Sequence, residues 1–195
     1  MNTSAGIFIL VVVIIVLVSI FSLYNQLVSR RNQVKFAFGT VDVLLKKRHD
    51  LIPSLVNVAE AHAKHERELF EELASLRVQA EDTRHAIGRE DARRLGAEVN
   101  LGERLNTLLA IVENYPELTA HVSFQNVQHA LIDNEAQIAA ARRFYNSAVN
   151  DYNNSIDMFP SSVMASLMSL SPKPYFEARA NERYAPRVSS HIGHP

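Results

Sequence analysis

The run from Phe124 to Phe159, FQNVQHALIDNEAQIAAARRFYNSAVNDYNNSIDMF, decides the fold. Within it Phe124, Leu131, Ile138, Tyr145, Val149, Tyr152, Ile156 and Phe159 join Gln128, Glu135 and Arg142 in an unbroken alternation of four- and three-residue steps. That spacing puts all eleven side chains on one seam of a single long helix, and such a seam requires partner helices to cover it. Glu135 and Arg142, seven residues apart, are costly on a buried seam unless they are paired. Functionally they read as a buried polar layer facing Arg48 or Asp42 or as a groove that receives a partner, and structurally, the preferred reading, as residues that fix helix register.

Upstream, Leu95, Val99, Leu105, Leu108, Leu109 and Val112 predict another helix, stopped at Asn114-Tyr115-Pro116 because proline pushes the residue before it out of the helical region. Earlier still, Val41, Leu44, Arg48, Ile52, Leu55, Ala59, His62, Leu69, Leu73 and Leu76 predict one long amphipathic helix running through Pro53. The proline removes a backbone donor and crowds the carbonyl of His49, so a kink is expected there rather than a helix start. If straight, Tyr24 to Leu76 would reach ~80 Å. The polar stretch Glu81 to Arg94, with Gly88, reads as the turn that follows. Short connections make long helices antiparallel neighbours. The predicted fold is therefore all-α: an N-terminal transmembrane helix and then a long antiparallel three- or four-helix bundle of coiled-coil character. After Phe159-Pro160 come a short apolar piece, Val163 to Leu170, and a tail with Pro172, Pro174, Pro186 and Pro195 that is expected to be irregular or disordered.

The transmembrane prediction rests on Ala5 to Leu23, AGIFILVVVIIVLVSIFSL, which carries no charge. As a helix it would cover ~28 Å, close to the hydrocarbon thickness of a bilayer. Met1 to Ser4 have no basic side chain and Phe21 to Val28 contain no Ala-x-Ala, so the stretch reads as an uncleaved anchor rather than a signal peptide. Arg30, Arg31, Lys35, Lys46, Lys47 and Arg48 follow the span and nothing basic precedes it. The positive-inside bias then puts the N-terminus outside and the large domain in the cytoplasm. The division expected is an anchor over 1–23, a helical domain over 24–170 and a tail over 171–195.

Composition excludes several classes of function. Twenty basic against twenty-one acidic residues give a net charge of -1, which leaves no broad positive field for nucleic acid. The absence of cysteine excludes disulfides, thiolate metal sites and a cysteine nucleophile. Neither GxGxxG nor GxxxxGK[ST] occurs, so the common glycine-rich phosphate cradles are missing.

An ordered set of short motifs resembles the LemA family. It includes Tyr24-Asn25-Gln26-Leu27-Val28, Arg31-Asn32-Gln33-Val34, Val41-Asp42-Val43, Lys47-Arg48-His49-Asp50-Leu51-Ile52-Pro53 and Leu55-Val56. It continues through Glu113-Asn114-Tyr115-Pro116-Glu117-Leu118, Ala141-Arg142-Arg143-Phe144-Tyr145-Asn146, Val149, Tyr152-Asn153, Ile156 and Phe159-Pro160, and weakly to Tyr175-Phe176-Glu177. Phe36-Ala37-Phe38-Gly39 stands where the family usually shows an alanine-tryptophan pair, and Val163 to Ser171 lacks the usual glycine-phenylalanine ending. The resemblance implies a single-pass bacterial membrane protein with an antiparallel helical bundle and no established catalysis. It suggests as partners a membrane-bound zinc metalloprotease or a small phosphatase-like domain protein, often encoded beside similar proteins; one relative serves in shaping magnetosome membranes.

Candidate chemistry is sparse. His62, His65 and Glu66, with His49 one face away, could offer imidazoles to a metal, which makes a metal-dependent hydrolase using His49, His62 and His65 the rival reading. A catalytic zinc helix needs His-Glu-x-x-His, and that spacing is absent. A solvated histidine face is the plainer reading, and His191 and His194 fall in the tail. No Gly-x-Ser-x-Gly elbow is present either. The basic run Lys46-Lys47-Arg48 reads by default as a solvated helix face. Tyr24-Asn25, Val28 and Asn32 repeat at constant offset as Tyr145-Asn146, Val149 and Asn153, either as a duplicated surface for lipid headgroups or a neighbour, or as coincidence between helices under like packing constraints. The function expected is that of a membrane-tethered, non-catalytic adaptor or scaffold at a bacterial inner membrane. It would carry no cofactor, metal site or catalytic residue, touch the lipid bilayer through its first helix, and bind protein partners or further copies of itself, but no nucleic acid.

Overall fold

The computed structural model describes residues 3–62, 67–84 and 92–176, with the side chains of 3–5, 61–62 and 67–70 left out. Among the described residues six helices follow one another: α1 Thr3–His62, α2 Arg67–Arg84, α3 Ala92–Val112, α4 Pro116–Thr119, α5 Val122–Asp157 and α6 Ser161–Leu167. The described residues contain no strand.

Long-range side-chain pairs give the direction of each helix. Arg48 meets Glu135 and Arg30 meets Asp151, so α5 descends antiparallel to α1. Arg84 reaches Asp50, so α2 also runs back along α1. Asp42 with Arg94 and Arg48 with Glu98 make α3 run the same way as α1, and Arg104 meets Ser75 of the antiparallel α2. The result is an up-down-up-down four-helix bundle. One expectation falls here: the periodic series from Val41 to Leu76 is not one rod, because α2 doubles back beside α1. Leu73, Leu76 and Ala80 pack against Ile52, Leu55 and Ala59, and burying both apolar stripes on each other removes more of them from water than an extended rod would. Residues 63–66 hold neither Gly nor Pro, so the sequence carried no turn signal there.

Pro53 lies inside α1, which continues through it, so no helix starts at that point. Val112, Tyr115 and Pro116 follow the expected stop, with Pro116 opening the short α4 where a missing N–H costs nothing. The expected turn from Glu81 to Arg94 is narrower than read: α2 runs on to Arg84 and α3 has begun by Ala92, while Gly88 lies outside the described residues. On α5 nine of the eleven seam residues are buried and Gln128 is half-buried. The eleventh, Phe159, lies beyond the end of α5 and is 83% exposed, so the seam ends at Ile156.

The molecule has two levels. In the head, the upper part of α1, α2, α3 and the first half of α5 enclose a core that includes Ile52, Leu55, Leu105, Val112, Phe124 and Leu131. Below it, in the stem, α1 from Leu27 to Leu45 pairs with α5 from Ile138 to Ile156. Here α2 does not take part, and cover comes from the start of α3, with Leu95 and Val99, from α6 and from the irregular stretch Ser171–Phe176. Below the stem, Gly6 to Phe21 form the apolar start of α1, all exposed, in the one described helix long and apolar enough to cross a membrane.

Candidate functional site

Arg48 is the largest fully buried side chain, placed by α1 where α3 and α5 converge. Its Nη1 donates to Glu135 Oε1 at 3.2 Å, its Nη2 donates to the Glu98 carbonyl at 2.9 Å, and the same nitrogen pairs with Glu98 Oε2. His49, the next residue, places Nε2 3.1 Å from Glu98 Oε1. Arg94 joins from the other side, with Nη2 at 2.5 Å from Asp42 Oδ1 and Nε at 3.8 Å from Glu98 Oε1. Asn134 donates to the Leu44 carbonyl at 3.1 Å beside them. The expected layer of Glu135 with Arg48 therefore exists, and Asp42 belongs to it through Arg94. Arg142 sits lower and stacks on Phe176, 5.3 Å from its ring centre. Arg48 is not part of a solvated basic face, unlike its exposed neighbours Lys46 and Lys47. Long side chains span the gap because the α3 backbone approaches α2 closely but stands off from α1 and α5.

Glu98 was not singled out in the sequence. Burial pushes its carboxyl up, but the hydrogen bond with His49 and the charge of Arg48 outweigh burial and hold it below the ordinary value of 4.5. A signal was available: Glu98 lies on α3 between the apolar positions Leu95, Val99, Leu101 and Leu105, where a charge is expensive without a partner. Arg94 was lost to the presumed turn.

Chemically this cluster ties helices together. His49 and Glu98 are 2% and 1% exposed, so a substrate cannot reach them. Buried ionic layers of this kind fix register more than they add net stability. Of the rival metal triad, the structure commits His49 to this layer; the His62 side chain, His65 and Glu66 lie outside the described residues, as do His191 and His194. Among the described residues no three His, Asp or Glu side chains gather as metal ligands.

The accessible feature lies in the stem. Between α1 and α5 runs a groove of about 860 Å³ whose walls include Phe36, Val43, Leu44, Ala140 and Phe144, with Gly39 and Thr40 on its floor. A second hollow of about 470 Å³, sharing Phe36 and Phe144, extends it past Asn32, Ser29 and Val28 to Asn25. Phe36 and Val43 are 71% and 68% exposed along the groove. The Phe-Ala-Phe-Gly stretch explains the wall: Ala37 is buried, Phe38 packs on Tyr145 at 6.0 Å beneath Arg94, and Phe36 turns outward.

The repeated Tyr-Asn pattern behaves differently in its two copies. On α5, Asn146 donates to and accepts from Phe176 at 2.9 and 2.8 Å, and Asn153 does the same with Lys173 at 3.1 and 2.9 Å. Tyr145 and Tyr152 hydroxyls donate to the carbonyls of Pro174 and Ser171. Four side chains thus strap Ser171–Phe176, the start of the expected irregular tail, onto the stem. On α1, Asn25 and Asn32 are exposed and line the groove.

The LemA family model matches residues 37–189. Similar proteins include magnetosome proteins MamQ 1 and MamQ 2 of Paramagnetospirillum magneticum and magnetosome protein MamQ of Magnetospirillum gryphiswaldense. Each is 23% identical over 177 residues, covering 80% of this chain and 65% of the relative. The chain thus spans about two-thirds, and slightly less, of the length of these relatives.

Proposed function

The chain belongs to the LemA family, and from that membership we propose a non-catalytic, membrane-anchored adaptor whose stem groove receives a helix of a protein partner. The observation that carries this reading is the groove itself. Phe36, Val43 and Phe144 stand exposed along it, and neither α2 nor α3 lines it. A helix laid there would bury the apolar walls as α2 and α3 bury those of the head, while Gly39 and Ala140 allow close approach. The names of the MamQ relatives place those proteins at a magnetosome, and a membrane setting for this chain agrees with its apolar start.

The anchor over 1–23 would hold the groove at a fixed height, so the partner is another protein held at the same membrane: a second copy, or a membrane protein such as a metalloprotease. Arg30, Arg31 and Lys35 just after the span favour the cytoplasmic side of a bacterial inner membrane, which a reporter fused after Pro195 would test. The body is then 24–170, with 171–195 as a tail strapped at its start.

The deciding experiment puts a photo-crosslinking residue at Phe144 in the full chain in its native membrane. A protein adduct of defined mass, diminished by Phe36→Lys while the chain stays in the membrane, is the expected result. Recovery of lipid alone at native abundance would overturn the adaptor reading.

A further inference from the structure

Met158 to Pro172, MFPSSVMASLMSLSP, is fifteen residues without a charge, in a chain that is 21% charged. It forms the corner where α5 ends and α6 turns back. Its apolar side chains divide between two faces. Ala165 is buried against the stem, with Met164 and Met168 packed beside it. Met158, Phe159, Val163 and Leu167 point away and are exposed by 64, 83, 58 and 76%. Val163 and Leu167, four apart on α6, form a short apolar stripe, and Phe159 adds to the exposed apolar surface from the turn before that helix.

The height of this stripe is set by the antiparallel pairing of α5 with α1. Asp151 lies 2.9 Å from Arg30. Each step down α5 matches one step toward the N-terminus of α1, so Phe159, eight residues beyond Asp151, comes about level with Ser22, eight before Arg30. That is the upper end of the uncharged span Ala5–Leu23, next to the stem, where Phe21 is also exposed and Tyr24 stands at the boundary, a position tyrosine favours in membranes. Asp157, the last residue of α5, falls level with Tyr24, at headgroup depth where a charge stays hydrated.

We infer that the α5–α6 corner is a second membrane contact: a foot that sets Phe159, Val163 and Leu167 into the lipid interface beside the point where α1 leaves the bilayer. The occupant of this apolar face is lipid because Phe159, at its start, comes level with the end of the exposed span. A stem held at two points cannot swivel freely about α1, which would aim the groove along the membrane. The inference rests on the anchoring reading of α1.

The chain contains no tryptophan, so single tryptophans report on depth without background. Full-length I14W, F159W, L167W and F36W would be reconstituted in phosphatidylcholine–phosphatidylglycerol vesicles with and without brominated acyl chains. Phe36 lies fourteen residues above Ser22, ~21 Å up the helix, and serves as the reference in water. I14W, F159W and L167W should lose most of their emission to the bromines, and F36W should not. If I14W is quenched while F159W and L167W respond no more than F36W, the foot does not exist. If I14W itself is not quenched, the anchor fails first.

Discussion

Head and stem share α1 and α5, and they dispose of the buried faces of those helices in different ways. In the head, α2 and α3 close the apolar stripes, and the space left by the distant α3 backbone is filled by Arg48, Glu98, Arg94 and Glu135. In the stem, the two helices are covered by the start of α3, by α6 and by a six-residue strap, and the flank that none of these lines is a bare apolar groove. The head holds a buried layer of paired charges, whereas the stem leaves an apolar flank open.

The contrast is tested hardest at Arg48. Arg48→Met would remove the guanidinium that pairs with both buried carboxylates, Glu98 and Glu135, and denaturation of the full chain in detergent should show a loss of ~3–5 kcal/mol. Replacing Arg48, Glu98 and Glu135 together with apolar residues should recover most of that. A single-variant loss under ~1 kcal/mol would make the head no different from the stem.

Acid sharpens the same comparison. Glu98 is held below 4.5 in the folded protein, so its contribution to stability is complete above the unfolded carboxylate value and is lost as pH falls through the lower folded one. Glu98→Gln should flatten that part of an acid-unfolding curve, while stem substitutions such as Asn146→Ala leave its shape intact.

In the stem the effects should be smaller and local. Asn146→Ala removes two hydrogen bonds to Phe176, worth ~1–2 kcal/mol together, and should speed hydrogen exchange at the Phe176 amide. Asn25→Ala, the same motif position on α1, should change stability by less than ~0.5 kcal/mol, because that residue is exposed. Arg30→Ala falls between these two: its pair with Asp151 is one-third to one-half exposed, and its loss should cost at most ~1 kcal/mol in a melt.

Much of this was legible in the order of residues. The 4-3 series identified α5, and the two charges on its seam announced that something opposite must pair with them. Glu135 found Arg48 as expected. Glu98 was missed because α3 was read by its leucines alone, and Arg94 because polar residues beside Gly88 resemble a turn. The reversal between α1 and α2 was missed for the opposite reason, since an apolar phase that continues through residues without Gly or Pro looks like one helix.

What the sequence alone determined is periodic: which residues form helices, which face of each is apolar, and where an uncharged run can cross a bilayer. Those follow from local geometry, because neighbours three and four apart on a helix share a face whatever lies beyond it. Which faces meet was decided only in the folded chain. Two copies of one Tyr-Asn pattern, alike as sequence, became a clasp on α5 and part of an open groove on α1 because the returning chain passes one and not the other. Burial belongs to pairs of surfaces, and a pair does not exist until the chain has folded back on itself.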